Sequence, residues 1–349
     1  MKKSLTITIA LLCALASFLP ELHAAEEDEI ALVKLRPDVR VAINNGLRFI
    51  ASQQHDDDGR FSTGGSKNTH ETSIALMAFM LQGHIPGQGK YGEVMENGLS
   101  YLIAKGEEQD GFLGSGTNHA AMYEHALAVL ALSEAWGHSK NPKLRKVLRD
   151  AVDITLRAQN EKGGWRYTPK PKDADLSMTA MHVVALNSAR EAGIAVPQAS
   201  IDRAVKYVIS CQGEDSGGFT YVPTGGRQEG VFPVSAAGTL ALILSGKRDD
   251  HSVRRGMAYL KDYDESKFSP EESERGFKFF FYSHYYAIQC MYQSGEEDFK
   301  DWYPKILKTL LETQEDDGSW KSGFGGVYGT GMAILISGVP YRYLPIYQR

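Results

Sequence analysis

Residues 173–180, Asp173-Ala174-Asp175-Leu176-Ser177-Met178-Thr179-Ala180, set two carboxylates and two hydroxyls at the entry to an apolar run. Carboxyl groups so placed can give and take protons, and an aspartate just ahead of an apolar run can equally cap a helix. The chain has ten histidines, and His70, His119, His125, His182 and His284 fall at the start of, or within, apolar runs. An imidazole there could move a proton near neutral pH. Glu71, Tyr123, Glu124, Tyr282, Tyr285 and Tyr328 lie beside them, whereas His55, His84, His138 and His251 sit in turns or charged segments. Buried polar groups need partners, so a hydrogen-bonded network explains this set as readily as a reactive site does.

Other chemistries fit less well. Cys211 and Cys290 are the cysteines outside the N-terminal segment, and no His-Glu-x-x-His string accompanies the histidines, so no metal site is expected. Two acidic turns, Asp56-Asp57-Asp58-Gly59 and Glu315-Asp316-Asp317-Gly318, could offer oxygens to calcium but lack the alternating ligand spacing of a calcium loop. No cofactor motif is present. The segment Phe277-Lys278-Phe279-Phe280-Phe281-Tyr282-Ser283-His284-Tyr285-Tyr286 carries more rings than one packed face requires, so some are expected to line an apolar pocket.

The elements that must hold these residues follow from a repeat. Glycine-aromatic turns recur with closing aromatics Phe61, Phe112, Trp165, Phe219, Phe268 and Trp320, most of them preceded by glutamine, at steps of 51, 53, 54, 49 and 52 residues. A fixed period of this length means one supersecondary unit copied. Mixed charged and apolar segments enter the turns at about 37–53, 92–105, 142–159, 198–212, 250–262 and 300–314. Segments apolar nearly all round leave them at about 70–82, 119–136, 176–192, 231–245, 276–294 and 327–338. An amphipathic helix has one solvated face, and a helix without a polar face is buried on every side. An open stack needs polar end repeats, yet the last repeat is as apolar as the middle ones. The expected fold is all-α: a closed (α/α)6 toroid of six helical hairpins, one domain over residues 25–349.

The Gln…Gly-aromatic turns resemble the QW-type repeats of the squalene cyclase and protein prenyltransferase families, over about residues 37–338. The strings Met122-Tyr123-Glu124-His125-Ala126, Gly163-Gly164-Trp165-Arg166-Tyr167, Asp175-Leu176-Ser177-Met178-Thr179 and Tyr341-Arg342-Tyr343-Leu344-Pro345 resemble exported squalene-cyclase-like repeat proteins of bacteria. That resemblance implies an α/α toroid with a central cavity. Class II terpene cyclases carry Asp-x-Asp-Asp-Thr-Ala, whose middle aspartate protonates the substrate. Aligned on Thr179-Ala180, this chain keeps Asp175 but places Ser177 on the proton donor and Met178 on the last aspartate. Prenyltransferase zinc needs an aspartate two residues before a cysteine, and Ile209 and Ile288 stand there instead. Cys290-Met291-Tyr292-Gln293 has the spacing of a complement-type thioester without its Gly-Glu centre.

In a toroid the starts of the inner helices surround the cavity mouth. Glu71, Tyr123, His125, Asp175 and His284 are therefore expected to converge there as the catalytic candidates. The net charge is −5, without a basic block, which argues against nucleic acid. Lys2-Lys3, the apolar run Leu5–Leu19 and Leu22-His23-Ala24 or His23-Ala24-Ala25 read as a signal peptide over 1–24, so a periplasmic or extracellular monomer without a transmembrane segment is expected. Three functions compete. One is binding of a small apolar or isoprenoid-like ligand, with cyclase- or isomerase-type chemistry. Another is a non-catalytic binding module. The third is a lyase or hydrolase acting on a glycan.

Overall fold

A computed structural model describes residues 36–64, 67, 69–115, 121–139, 141–223, 229–262, 268 and 277–341. The segment expected to be a signal peptide, His119 and most of the degenerate fifth turn lie outside the described residues. One compact unit begins at Pro37.

Twelve α-helices form among the described residues, alternating between two layers. The outer helices are α1 (Pro37–Ser52), α3 (Gly92–Glu108), α5 (Lys143–Ala158), α7 (Gln198–Ser210), α9 (His251–Lys261) and α11 (Glu296–Glu312). The inner ones are α2 (His70–Leu81), α4 (Ala121–Trp136), α6 (Leu176–Glu191), α8 (Phe232–Leu242), α10 (Phe277–Ser294) and α12 (Gly326–Ser337). Helix α8 runs on into a π-helical turn, Ile243–Lys247. Each inner helix packs against its two inner neighbours, and α12 packs against both α10 and α2. The ring is closed, as an apolar last repeat requires. In α2 every residue but His70 is buried, and in α12 every residue from Val327 to Ser337. Hydrophobic burial of that completeness, not local propensity, holds these short helices.

The turn glutamines fasten the outer layer. Gln54 Nε2 donates to Gly59 O (2.9 Å) in its own turn and to Val94 O (2.8 Å) at the start of the next outer helix. Gln159 bonds Gly163 O and Ser200 O in the same way, and Gln212 bonds Gly217 O and Ser252 O. Gln314 closes the circle by joining Gly318 O to Ala42 O of α1, both within 2.9 Å. One side-chain amide thus satisfies two carbonyls from adjacent repeats. The glycine beside it must be glycine: Gly163 has φ +89°, and a Cβ there would collide with Arg203 O of α7.

Cys211 and Cys290 are both buried and free. The acidic turns are engaged internally. Arg60 pairs with Asp57 and Asp58 at 2.9 and 2.7 Å, and Lys321 pairs with Glu315 at 2.8 Å. No helix among the described residues is long and apolar enough to cross a membrane.

Candidate functional site

One recurring hydrogen bond sets the inner helices in register. In five repeats the buried residue closing the turn donates its N–H to a side chain two to four residues past the first residue of the following helix. Phe61 N–H bonds Thr72 (3.0 Å), Trp165 bonds Thr179 (3.2 Å), Phe219 bonds Ser235 (2.7 Å) and Trp320 bonds Thr330 (3.0 Å). In the second repeat the donor is Leu113 and the acceptor is Nδ1 of His125, at 3.1 Å. Leu113, not Phe112, therefore fills the aromatic's place, while Phe112 stacks on the His125 ring at 5.3 Å. In the fifth repeat His284 stands at this level, its ring 5.2 Å from Phe268 and 6.0 Å from Trp302 of the outer layer.

These anchors face the seam between the layers. Two residues earlier on an α-helix is a rotation of about 200°, so the opposite face, toward the ring axis, carries His70, Tyr123, Ser177, Pro233, Tyr282 and Tyr328. Contacts between helices agree: Tyr123 Oη lies 2.7 Å from Ser177 Oγ, and the His70 and Tyr328 rings are 6.0 Å apart. His70, Tyr123, Pro233 and Tyr282 are half-buried, as is Leu127 one turn below Tyr123. Other residues at that lower level, Ile74, Met181, Tyr286 and Met332, are buried. Exposure thus falls down the axis, from half-buried polar and aromatic residues at the rim to buried ones about one turn below.

Asp175 begins one side of the rim. It caps α6 by accepting Met178 N–H at 2.8 Å on Oδ1, which also accepts the Ser177 hydroxyl at 2.7 Å. Arg166 brings Nε to 3.3 Å from Oδ2 of Asp175 and its terminal nitrogen to 3.3 Å from Asp173. The guanidinium lies over the rings of Tyr167 and Tyr221, whose hydroxyls contact each other. Burial raises the Asp175 pKa, opposed by the Met178 amide, Ser177 and the Arg166 charge. Burial, reinforced by Asp175, also pushes the Tyr123 phenol up. Tyr282 and Tyr286 are raised well above the ordinary tyrosine value, again mainly by burial. Near neutral pH these phenols are therefore neutral.

Of the five sequence candidates, the structure brings Tyr123 and Asp175 together through Ser177. Glu71 is buried at the seat of its turn, accepting from Thr63 Oγ1 (3.0 Å) and Thr63 N–H. Glu124 holds Ser115 likewise, with N–H at 2.8 Å. His125 and His284 occupy the seam, away from the axis. The tautomer of His125 is fixed: Nδ1 accepts from Leu113, so Nε2 carries the hydrogen and donates to Ala151 O at 3.1 Å. Burial drives its pKa down to about 4. His182 also lies in the seam, stacked on Trp165 at 5.4 Å, and burial lowers it well below the ordinary value. Arg166, Tyr167 and Tyr221 were not among the candidates. Tyr167 and Tyr221 each follow their turn aromatic by two residues, as Thr63 does, and superposing the repeats on those aromatics would have found them. Among the described residues no cluster of His, Cys, Asp and Glu could hold a metal ion.

A groove of about 500 Å³ is lined by Arg166 together with Lys162, Lys206, Tyr207, Ser210 and Val222.

No curated protein matches the chain. Among solved structures, the α-1,6-mannanase GH76A of Salegentibacter sp. is similar at 11% identity and TM-score 0.64, over 86% of this chain and 98% of that one. Cellobiose 2-epimerase from Bacillus thermoamylovorans is similar at 12% identity and TM-score 0.60, over 85% and 98%. The type II terpene cyclase MstE from Scytonema is similar at 13% identity and TM-score 0.59, over 88% and 99%. At these identities the likeness shows the fold alone. A family model, the prenyltransferase alpha-alpha toroid domain, matches residues 31–262. The chain belongs to the prenyltransferase alpha-alpha toroid domain family.

Proposed function

We propose that this protein is an exported toroid that binds a small ligand with an apolar, isoprenoid-like body in the basin at the N-terminal ends of its inner helices. The observation that carries the reading is the rim itself: phenol rings from three inner helices, with a half-buried leucine, Leu127, as part of the floor. Aromatic faces and an aliphatic floor suit a hydrocarbon body, and largely apolar walls with few polar groups are the usual makeup of ligand sites. The apolar run and basic N-terminus over 1–24 support export.

Binding without class II cyclisation is the chemistry this rim supports. The position aligned with the proton-donating aspartate is Ser177, whose hydroxyl is too weak an acid to protonate an alkene. Asp175 is held as an acceptor by Ser177, Met178 N–H and Arg166. Tyr123, Asp175, Ser177 and Arg166 are the residues that would position a ligand. Glu71, His125 and His284 would act indirectly, by fixing the turns and helices around it.

Two measurements test the proposal. Mass spectrometry of an organic extract of the purified protein is expected to find an apolar, prenyl-type compound. A Leu127→Trp variant, whose larger side chain rises from the floor into the basin, is expected to lose that compound. It should bind farnesol at least tenfold more weakly with little change in melting temperature. Retention of the compound by Leu127→Trp, or co-purification of oligosaccharide alone, would overturn the proposal.

A further inference from the structure

We infer that the ligand of this basin carries a hydroxyl hydrogen at the rim, because the rim presents acceptors that have no hydrogen left to give. This inference rests on the binding reading above and narrows its ligand class to an apolar body bearing an alcohol. The polarity follows from tracing each proton. Oδ1 of Asp175 has no proton to give while it accepts Met178 N–H, so Ser177 donates to it, at 2.7 Å. Ser177 has one hydrogen, so the 2.7 Å contact with Tyr123 must run from the Tyr123 hydroxyl to Ser177 Oγ. The Tyr123 oxygen is left with acceptor capacity alone.

On the neighbouring helix the same logic fixes His70. Its Nε2 lies 3.0 Å from Phe324 O. A carbonyl only accepts, so Nε2 carries the hydrogen, and in the neutral ring Nδ1 is the acceptor. Half-buried His70 and Tyr123 thus contribute two acceptors, from neighbouring helices α2 and α4. Tyr282 adds a third group at the same level: its hydroxyl is buried and has no hydrogen-bond partner. A buried hydroxyl without a partner costs free energy, and a ligand oxygen that accepts from Tyr282 would remove that cost. A hydrocarbon cannot engage these groups, and an ether can accept only from Tyr282. An alcohol can donate to Tyr123 or His70 while accepting from Tyr282.

The test is a calorimetric titration of the intact exported chain with farnesol, farnesyl methyl ether and farnesane, followed by mannotriose. Farnesol is expected to bind about tenfold more tightly than its methyl ether, the usual consequence of leaving a buried acceptor unmet, with farnesane weaker again. In Tyr123→Phe, farnesol's advantage over the ether should shrink to about twofold or less. Equal affinities for farnesol, ether and hydrocarbon would overturn the hydroxyl inference and leave the apolar-ligand reading standing. Binding of mannotriose with no binding of any prenyl compound would overturn that reading. No binding of any of the four would overturn both.

Discussion

His125 offers a way to separate a structural histidine from a reactive one. Both its nitrogens are engaged, Nδ1 by Leu113 N–H and Nε2 by Ala151 O, and the ring is fully buried. Protonation must displace the Leu113 hydrogen bond and place a charge in the seam, which is why the folded pKa falls to about 4. An unfolded histidine titrates near 6.5. Between those values the unfolded chain binds the proton and the folded chain does not, so stability falls as pH drops through 6.5 and levels off below about 4. The depression corresponds to about 3 kcal/mol for His125. His182 is displaced in the same direction. The control is His125→Thr, which installs the side chain the first, third and sixth repeats use at this level. It keeps an oxygen for Leu113 but removes the titrating ring and leaves a void, so at neutral pH it should cost about 2 kcal/mol. Urea denaturation of both proteins from pH 7 to pH 4 gives the difference directly. Wild type is expected to lose its neutral-pH advantage over His125→Thr and to become the less stable protein near pH 4. Parallel pH profiles would refute the reasoning and place His125 in solvent contact.

Other outcomes follow from the same contacts. Gly163→Ala should cost about 3 kcal/mol in urea denaturation, because the alanine must adopt positive φ and displace Arg203 O. Gln159→Ala leaves Gly163 O and Ser200 O without their donor and should cost about 2 kcal/mol, whereas an exposed-face change such as Lys162→Ala should cost almost nothing. Asp175→Ala removes a helix cap and unpairs Arg166, for a loss of about 2 kcal/mol by the same measurement. Burial raises the Cys211 thiol to about 12 and moves Cys290 the same way. Neither should react with a thiol-specific disulfide reagent until the protein unfolds, and fast labelling of the native protein would contradict that placement.

The fold was legible in the sequence because its determinants are periodic. Turn glycines and glutamines recur at nearly fixed spacing, and the all-apolar segments that follow them have only the interior of a ring to occupy. Helix α11 alone begins well ahead of the expected residue 300, at Glu296. Its first turn is acidic, as a helix N-terminus favours, and charge there masked the apolar period. The site was only partly legible. Tyr123 and Asp175 do come together, through Ser177, since both stand at the starts of apolar helices. His125 and His284 stand there too, yet a two-residue step turns a side chain from the axis to the seam, and depth along a helix does not report that rotation. The aromatic turns held the missing information. Thr72, Thr179, Ser235 and Thr330 share one role, and reading His125 as their counterpart would have turned it away from the cavity. Loops of unequal length between turn and helix hid the correspondence, as did Leu113 standing where the other repeats place an aromatic.

A crystal structure of the protein grown with farnesol tests the central claim most directly. The account predicts prenyl density in the basin on the ring axis, with the alcohol oxygen within hydrogen-bonding distance of Tyr123 Oη and Tyr282 Oη. It predicts His125 still bonded to Leu113 and Ala151. Ordered ligand confined to the groove beside Lys162 and Lys206, or an axis filled by protein side chains alone, would contradict it.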